Sequence, residues 1–366
     1  MPVESFFEHQ TPESKAKVEI VTNFFASWLN IIGSSSTGPL AYMELFAGQG
    51  IYDDGTKSTP ILVLEHILST PHAARFYVVL NEYDGSKADK LETAVNALPV
   101  DHLAKKPEVL RREVDAQNVT SFLRYLPNSP AVLFADPFGY RGITLELFLK
   151  YLGVSWGRDA VFFFNYKRVN AAISNPDFAE NMQAMFGKAR AEALPFQLQR
   201  LTPSKRRRRV HEAMEESLRE AGVNFVHRFD FVERDDSLFF LSQKEKGLRT
   251  MKTVMAGRST KDAEGVPTYS YERATPQDQL QGSLFAPPSR LEELRSDLST
   301  KLAGQTLTFE ELVRRHHPGT SFVETNYRSV LKQMEERGEI HVSSPRQRRP
   351  GTFGPLARIS FPAKKG

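Results

Sequence analysis

In YMELFAGQGIYDDGTKSTP, residues 42 to 60, an acidic residue near the end of an apolar run, Glu44, is followed by Phe46, Ala47, Gly48 and Gly50. Glycines in a turn let the backbone approach a ligand closely and adopt positive φ. A phosphate-binding loop would need a glycine directly before its lysine, and the pair Lys57-Ser58 lacks one. A nicotinamide fingerprint would need a third glycine where Asp53 stands. The carboxylate of Glu44 would repel a pyrophosphate and suits a cationic, amine-bearing ligand. That chemistry points to S-adenosylmethionine, which carries an amino group and a sulfonium.

Three further acidic residues close apolar segments. Glu82 follows FYVVLN, where a carboxylate can accept from both ribose hydroxyls of a nucleoside cofactor. Asp115, in REVDA, is expected to end a third strand and reach the adenine amine. Asp136 and Pro137 open ADPFGY after AVLF, at the carboxyl end of a fourth strand, where ligands bind in parallel sheets. FFFNYKRVN closes a fifth strand with Asn165, Tyr166, Lys167 and Arg168 on the same rim. Hydrogen-bonding, stacking and phosphate-pairing groups together suit a nucleotide.

The elements that must position these groups alternate. Helical spacing over residues 15 to 32 is followed by strand LAYMELFAG, then by a helix capped at Thr59 with Pro60 at its first position. Strands at RFYVVLNEYD, PEVLRREVDA, AVLFADPFG and DAVFFFNY are separated by helices SKADKLETAVNAL, NVTSFLRYL and TLELFLKYL. Near-continuous apolar strands alternating with helices predict an α/β, doubly wound, Rossmann-like parallel sheet. Residues 171 to 221 read as helical, and VNFVHRFDFVERDDSLFFLS reads as an antiparallel edge hairpin with an Asp-Asp-Ser turn. Residues 259 to 289, rich in Pro, Gly, Ser and Gln, read as a linker. The expected division is therefore a sheet domain over 1–258, a linker, and a second domain over 290–366.

Composition excludes some chemistry. The chain has no cysteine, hence no disulfide, thiolate metal site or cysteine nucleophile. Its histidines lack ligand spacing, so no metal is expected. No apolar run reaches the ~20 residues of a membrane span, and the N-terminal residues do not read as a signal peptide. A cytoplasmic setting without membrane partners is the expectation.

Basic charge is concentrated late. Residues 290 to 366 hold 14 Lys+Arg against 9 Asp+Glu, which leaves the rest near −1 of a net +4. From residue 307 a short helix, a Pro318-Gly319 turn, a longer helix over about 324 to 337 and two strands around PRQRRPGTFG follow the winged-helix rhythm. Arg328 and Lys332 on the recognition helix, with Arg346, Arg348 and Arg349 on the wing, are expected to face DNA or RNA. The run SKRRRRV adds Arg206 and Arg207 as candidate phosphate contacts. In the linker, Gln281 to Phe285 (QGSLF) resembles the pentapeptides that dock on the bacterial replication sliding clamp, with Gly282 in place of leucine.

On ELFAGQG, the DG…STP loop, DPFG, the late hairpin and the winged-helix pattern, the chain resembles class I S-adenosylmethionine-dependent methyltransferases, and more closely the bacterial three-Cys-motif partner protein family. The resemblance implies a partner protein with a three-cysteine motif. Asp136-Pro137-Phe138-Gly139 is also similar to the DPFG of tRNA guanine dimethyltransferases, and is a cousin of the Asp-Pro-Pro-Tyr element of adenine amino-methyltransferases. Carried over, Asp136 would orient an exocyclic base amine while Phe138 or Tyr140 stacks on the base, with Asn165 beside them. The second proline is absent and the aromatic residue sits one place early. A methyltransferase acting on nucleic acid is the leading expectation. A non-catalytic accessory of the three-cysteine partner and a DNA-binding regulator are the alternatives.

Overall fold

The computed structural model describes residues 11 to 272, 289 to 344 and 349 to 363. The chain divides into two compact units, Met1–Val254 and Met255–Gly366.

In the first unit, strands β1 (Leu40–Glu44), β2 (Phe76–Asn81), β3 (Glu108–Leu110), β4 (Ala131–Ala135), β5 (Arg158–Asn165), β6 (Phe225–Phe231) and β7 (Asp236–Ser242) lie in the order β3-β2-β1-β4-β5-β7-β6. The first five are parallel, and β7 runs antiparallel between β5 and β6. Every residue of β1 and β4 is buried, because helices cover both faces. Strand order reverses direction between β1 and β4, which opens a crevice at their carboxyl ends. Register places Glu44 level with Leu80 and Phe134, so the polar residues that follow β2 and β4 converge on it.

The helices are α1 (Pro12–Ser35), α2 (Thr59–Leu68), α3 (Gly85–Asn96), α4 (Leu145–Leu152), α5 (Tyr166–Ala172), α6 (Ala179–Phe186), α7 (Lys188–Leu198), α8 (Pro203–Glu220) and α9 (Glu245–Ala256). Thr11 caps α1 by accepting from the Ser14 amide at 3.2 Å, and the helix buries Phe24, Phe25, Trp28 and Leu29. Thr144 caps α4 in the same way.

Several boundaries depart from the sequence expectation. Ser58, not Thr59, is the N-cap of α2, so Pro60 falls one place into the helix. Strand β3 stops at Leu110, because the ladder with β2 ends at Asn81. Residues Val119–Tyr125 wind as a 3₁₀ helix rather than an α-helix. The hairpin turns through Val232–Arg234 and Asp235 in the left-handed region (φ 58°), not through Asp-Asp-Ser. Helix α9 was not anticipated.

The second unit contains β8 (Ser270–Tyr271), α10 (Arg290–Lys301), β9 (Thr306–Thr308), α11 (Phe309–His316), α12 (Glu324–Glu336), β10 (His341–Ser343) and β11 (Arg358–Ser360). The last three named strands form an antiparallel sheet in the order β10-β11-β9, completing a winged helix-turn-helix domain. Thr308 and Glu311 cap α11 reciprocally. Leu294, Leu298, Leu312, Tyr327, Leu331 and Ile359 make its core, joined by Val266. The expected linker is thus ordered at its start. Residues 260 to 268 fold into a tight turn in which the Asp262 amide donates to the Val266 carbonyl at 3.0 Å, and Val266 is buried with the winged-helix core. The two compact units part between residues 254 and 255, within α9. Among the described residues no helix is long and apolar enough to cross a membrane.

Candidate active site

A cleft of about 560 Å³ opens at the carboxyl ends of β1, β2, β4 and β5. Its lining includes the expected Glu44, Phe46, Ala47, Gly48, Glu82, Asp136, Pro137, Phe138, Asn165 and Arg168. Residues scattered over more than a hundred positions meet because each follows a neighbouring strand. Gly48 has φ +64°, and a Cβ built on it meets nothing within 4 Å, so it faces open space. Its amide donates to Glu82 Oε2 at 2.9 Å, while Asp84 N–H donates to Oε1 at 2.9 Å. Gly50 does not line the cleft. Its φ is +81°, and a side chain there would press within 3.0 Å of Leu91 on α3, which makes it a packing glycine.

Glu44 lies at the floor, 2% exposed, and Tyr42 donates its hydroxyl to Glu44 Oε2 at 2.8 Å. Burial holds the Glu44 carboxyl well above the usual range; the Tyr42 hydrogen bond offsets part of this and nearby Asp136 adds to it. The tyrosine two residues earlier on the same strand face is a partner that sequence alone could have offered. Tyr52, from the turn after β1, is pushed up to about 12 by burial and by Asp136 and Glu44. Asp236, level with Asn165 across the β5–β7 ladder, is pushed up to about 6 by burial, and its Oδ1 has no hydrogen-bond partner among the described residues.

Sequence reasoning missed three members of this site. Ser14, Lys17 and Val18, spaced i, i+3, i+4 on one face of α1, form a cleft wall. Lys17 donates to Asp136 Oδ2, and its ammonium lies 4.4 Å from the centre of the Phe163 ring. Asn81 was also passed over. Buried at the end of β2, it donates to the Leu45 and Arg112 carbonyls at 3.0 Å each and so fixes the exits of β1 and β3.

A second cleft, about 650 Å³, shares Phe46, Pro137, Phe138 and Arg168 with the first and adds Tyr83, Glu113, Val114, Tyr140 and Arg141. Tyr140 belongs here, edge-on to Phe178 at 5.5 Å. Asp115 lines neither cleft: Oδ1 accepts from the Gln117 and Asn118 amides at 2.9 and 2.8 Å, closing the turn that leads to residue 119. Five residues past the end of β3, it closes a turn instead of ending the strand. Asn165 Oδ1 accepts from Arg168 N at 3.0 Å and caps α5. The Arg168 guanidinium lies 3.9 Å from the Phe138 ring centre and donates to the Phe138 carbonyl at 2.6 Å, so one face of that exposed ring is covered. Lys167 pairs with Asp235 at 3.6 Å.

The expected nucleic-acid contacts are mostly engaged within their own units. Arg206 donates to Asn170 at 2.6 Å and to the Leu198 carbonyl, and Arg207 binds Asp235 at 2.9 Å. Arg328 donates to Glu324 at 2.6 Å and to the Phe353 carbonyl, and lies 4.3 Å over the Phe309 ring. Lys332 is exposed, with only a 3.9 Å approach to Glu336, and Arg349 is exposed at the wing. Arg346, Arg348 and the Gln281–Phe285 segment lie outside the described residues.

With that geometry in place, the sheet of the first unit is a doubly wound, Rossmann-like sheet with an antiparallel edge pair. Residues 268–346 match the family described as the GMT-like wHTH domain. No curated protein matches the chain. Among solved structures, the chain is similar to a Legionella pneumophila protein of the DUF519 family at 12% identity, covering 65% of this chain and 91% of that one with a TM-score of 0.38. An rRNA methylase from Streptococcus thermophilus gives 10% identity, 61% and 93% coverage, and a TM-score of 0.33. The human methyltransferase 10 domain containing protein gives 14%, 62% and 83%, and 0.33. The fold assignment rests on the strand order itself.

Proposed function

We propose that the chain is an S-adenosylmethionine-dependent methyltransferase that acts on an exocyclic base amine of nucleic acid, with the winged helix contributing nucleic-acid contacts. The observation that carries this reading is the convergence of Glu44, Glu82 and Asp136 on one cleft beside an open-facing Gly48.

The residues fit the cofactor. Glu44 at the floor suits its cationic end, and Glu82 keeps further lone pairs for ribose hydroxyls while holding two backbone amides. Tyr83, exposed on the second cleft, offers flat apolar surface for adenine. When bound, the cofactor would be held by Glu44 and Glu82 and would supply an activated methyl group for the amine. The protein's share is alignment. Asp136 accepts from the amine and directs its lone pair, while the Phe138–Arg168 stack walls the base site. Lys332 and Arg349 serve phosphate contact.

Titration calorimetry of wild type and Gly48→Leu with S-adenosylmethionine tests the cofactor assignment. Micromolar binding that the variant loses supports it and justifies a labelled-methyl screen over DNA, tRNA and protein. No binding by wild type would overturn it in favour of a non-catalytic accessory. The three-cysteine partner is carried by the family resemblance alone, and co-purification is its test.

A further inference from the structure

Lys17 is a cation inside an acidic pocket. Its side chain is 13% exposed, and it donates to Asp136 Oδ2 while lying against the Phe163 ring. Around Asp136 stand Glu44 from the end of β1, Tyr52 from the following turn and Asp236 from β7, each subject to the Asp136 charge. Burial drives the Glu44 and Asp236 carboxyls upward; the Tyr42 hydrogen bond and then Lys17 oppose the rise at Glu44, and Arg234, then Lys17, then Lys167 oppose it at Asp236. A cation on one carboxylate oxygen holds the group in place and leaves the other oxygen as an acceptor. Pairing through one oxygen also fixes the carboxylate plane and leaves Oδ1 with no hydrogen-bond partner among the described residues.

This inference rests on the methyltransferase reading above. We propose that Lys17 is a positioning residue for transfer to an amine: it anchors Asp136 by Oδ2 and presents Oδ1 to the amino group of the substrate. Lys17 acts through Asp136 and touches neither reacting atom. The Phe163 ring favours a cation at that place, so arginine should substitute in part and an uncharged side chain should not.

The test uses the full chain as wild type, Lys17→Met, Lys17→Arg and Asp136→Asn, with Lys17→Gln as a second neutral variant should methionine prevent folding. The first readout needs no turnover: acylation of Lys17 by an activated acetate ester, followed by mass spectrometry against exposed Lys188. Lys17 should react about tenfold more slowly than Lys188, and Asp136→Asn should close most of that gap. Equal rates in wild type and Asp136→Asn would overturn the pairing, whether or not the protein transfers methyl groups. In the transfer assay, Lys17→Met should lower kcat by about ten- to a hundredfold. KM for the acceptor should stay within about threefold. Lys17→Arg should recover most of the loss. An unchanged kcat in Lys17→Met would overturn the positioning role. Failure of wild type to bind cofactor or transfer label would count against the methyltransferase reading, while the acylation comparison still decides the ion pair.

Discussion

The acidic residues of the cleft and the arginines of the two basic stretches were expected to be functional on the same kind of reasoning, yet the fold treats them differently. Glu44, Glu82 and Asp136 line one open cavity. Arg206, Arg207 and Arg328 are held by acceptors within their own units. The difference lies in reach. A short acidic side chain at a strand exit is aimed by the sheet, whose parallel order forces successive exits to one edge. An arginine carries a long flexible stem and five donors, and it binds whichever carboxylate or carbonyl the tertiary fold brings near. Position along the chain therefore predicts Glu44, Glu82 and Asp136, whose strands end beside them, and not Arg206, Arg207 or Arg328.

The comparison can be broken most severely at Asp136. Asp136→Ala should cost about a hundredfold or more in methyl transfer while calorimetry still shows cofactor binding. Comparable activity would mean that the cleft acids are no more functional than the arginines. Gly48→Leu comes next. It forces a side chain into the left-handed region at a cost of roughly 1 to 2 kcal/mol and fills the space it faces. Cofactor binding should be lost with only a modest fall in melting temperature.

Asp159 sharpens the contrast from within the same domain. At the start of β5, 4% exposed, its carboxyl is pushed up to about 7 by burial, opposed by a Ser242 hydrogen bond, and it lines neither cleft. Because the folded value lies above the unfolded one, its contribution is complete below about pH 4 and is lost as pH rises through 7. Asp159→Asn should therefore raise stability at pH 8 relative to wild type by roughly 2 to 4 kcal/mol, read by urea unfolding at pH 5 and 8, without changing transfer. The smallest effects separate the two cations of α12. Arg328→Ala should cost about 1 to 2 kcal/mol of winged-helix stability. Lys332→Ala should leave stability unchanged and lower the salt slope of nucleic-acid binding by about one.

Much of the fold was legible because its signals are periodic. Five apolar strands alternating with helices indicated the parallel sheet, and the helix–turn–helix–strand rhythm indicated the winged domain. Asp115 was misread because an apolar stretch does not show where a ladder ends: pairing stops at Leu110, set by the length of β2 opposite. Residues 260 to 268 looked like linker by composition, yet one buried valine and a turn closed by Asp262 tie them to the second core. Lys17 was invisible for another reason. Its partner lies 119 positions away, and only the packing of α1 over the strand exits brings them together.

The bond from the Gly48 amide to Glu82 has a thermodynamic consequence. With Oε1 held by Asp84 and Oε2 by Gly48, the turn after β1 and the exit of β2 are already ordered against each other before any ligand arrives. Fixing a backbone residue costs on the order of 1 to 2 kcal/mol. Here that loss falls on folding, so contacts made in the cleft go into affinity instead of into ordering the loop.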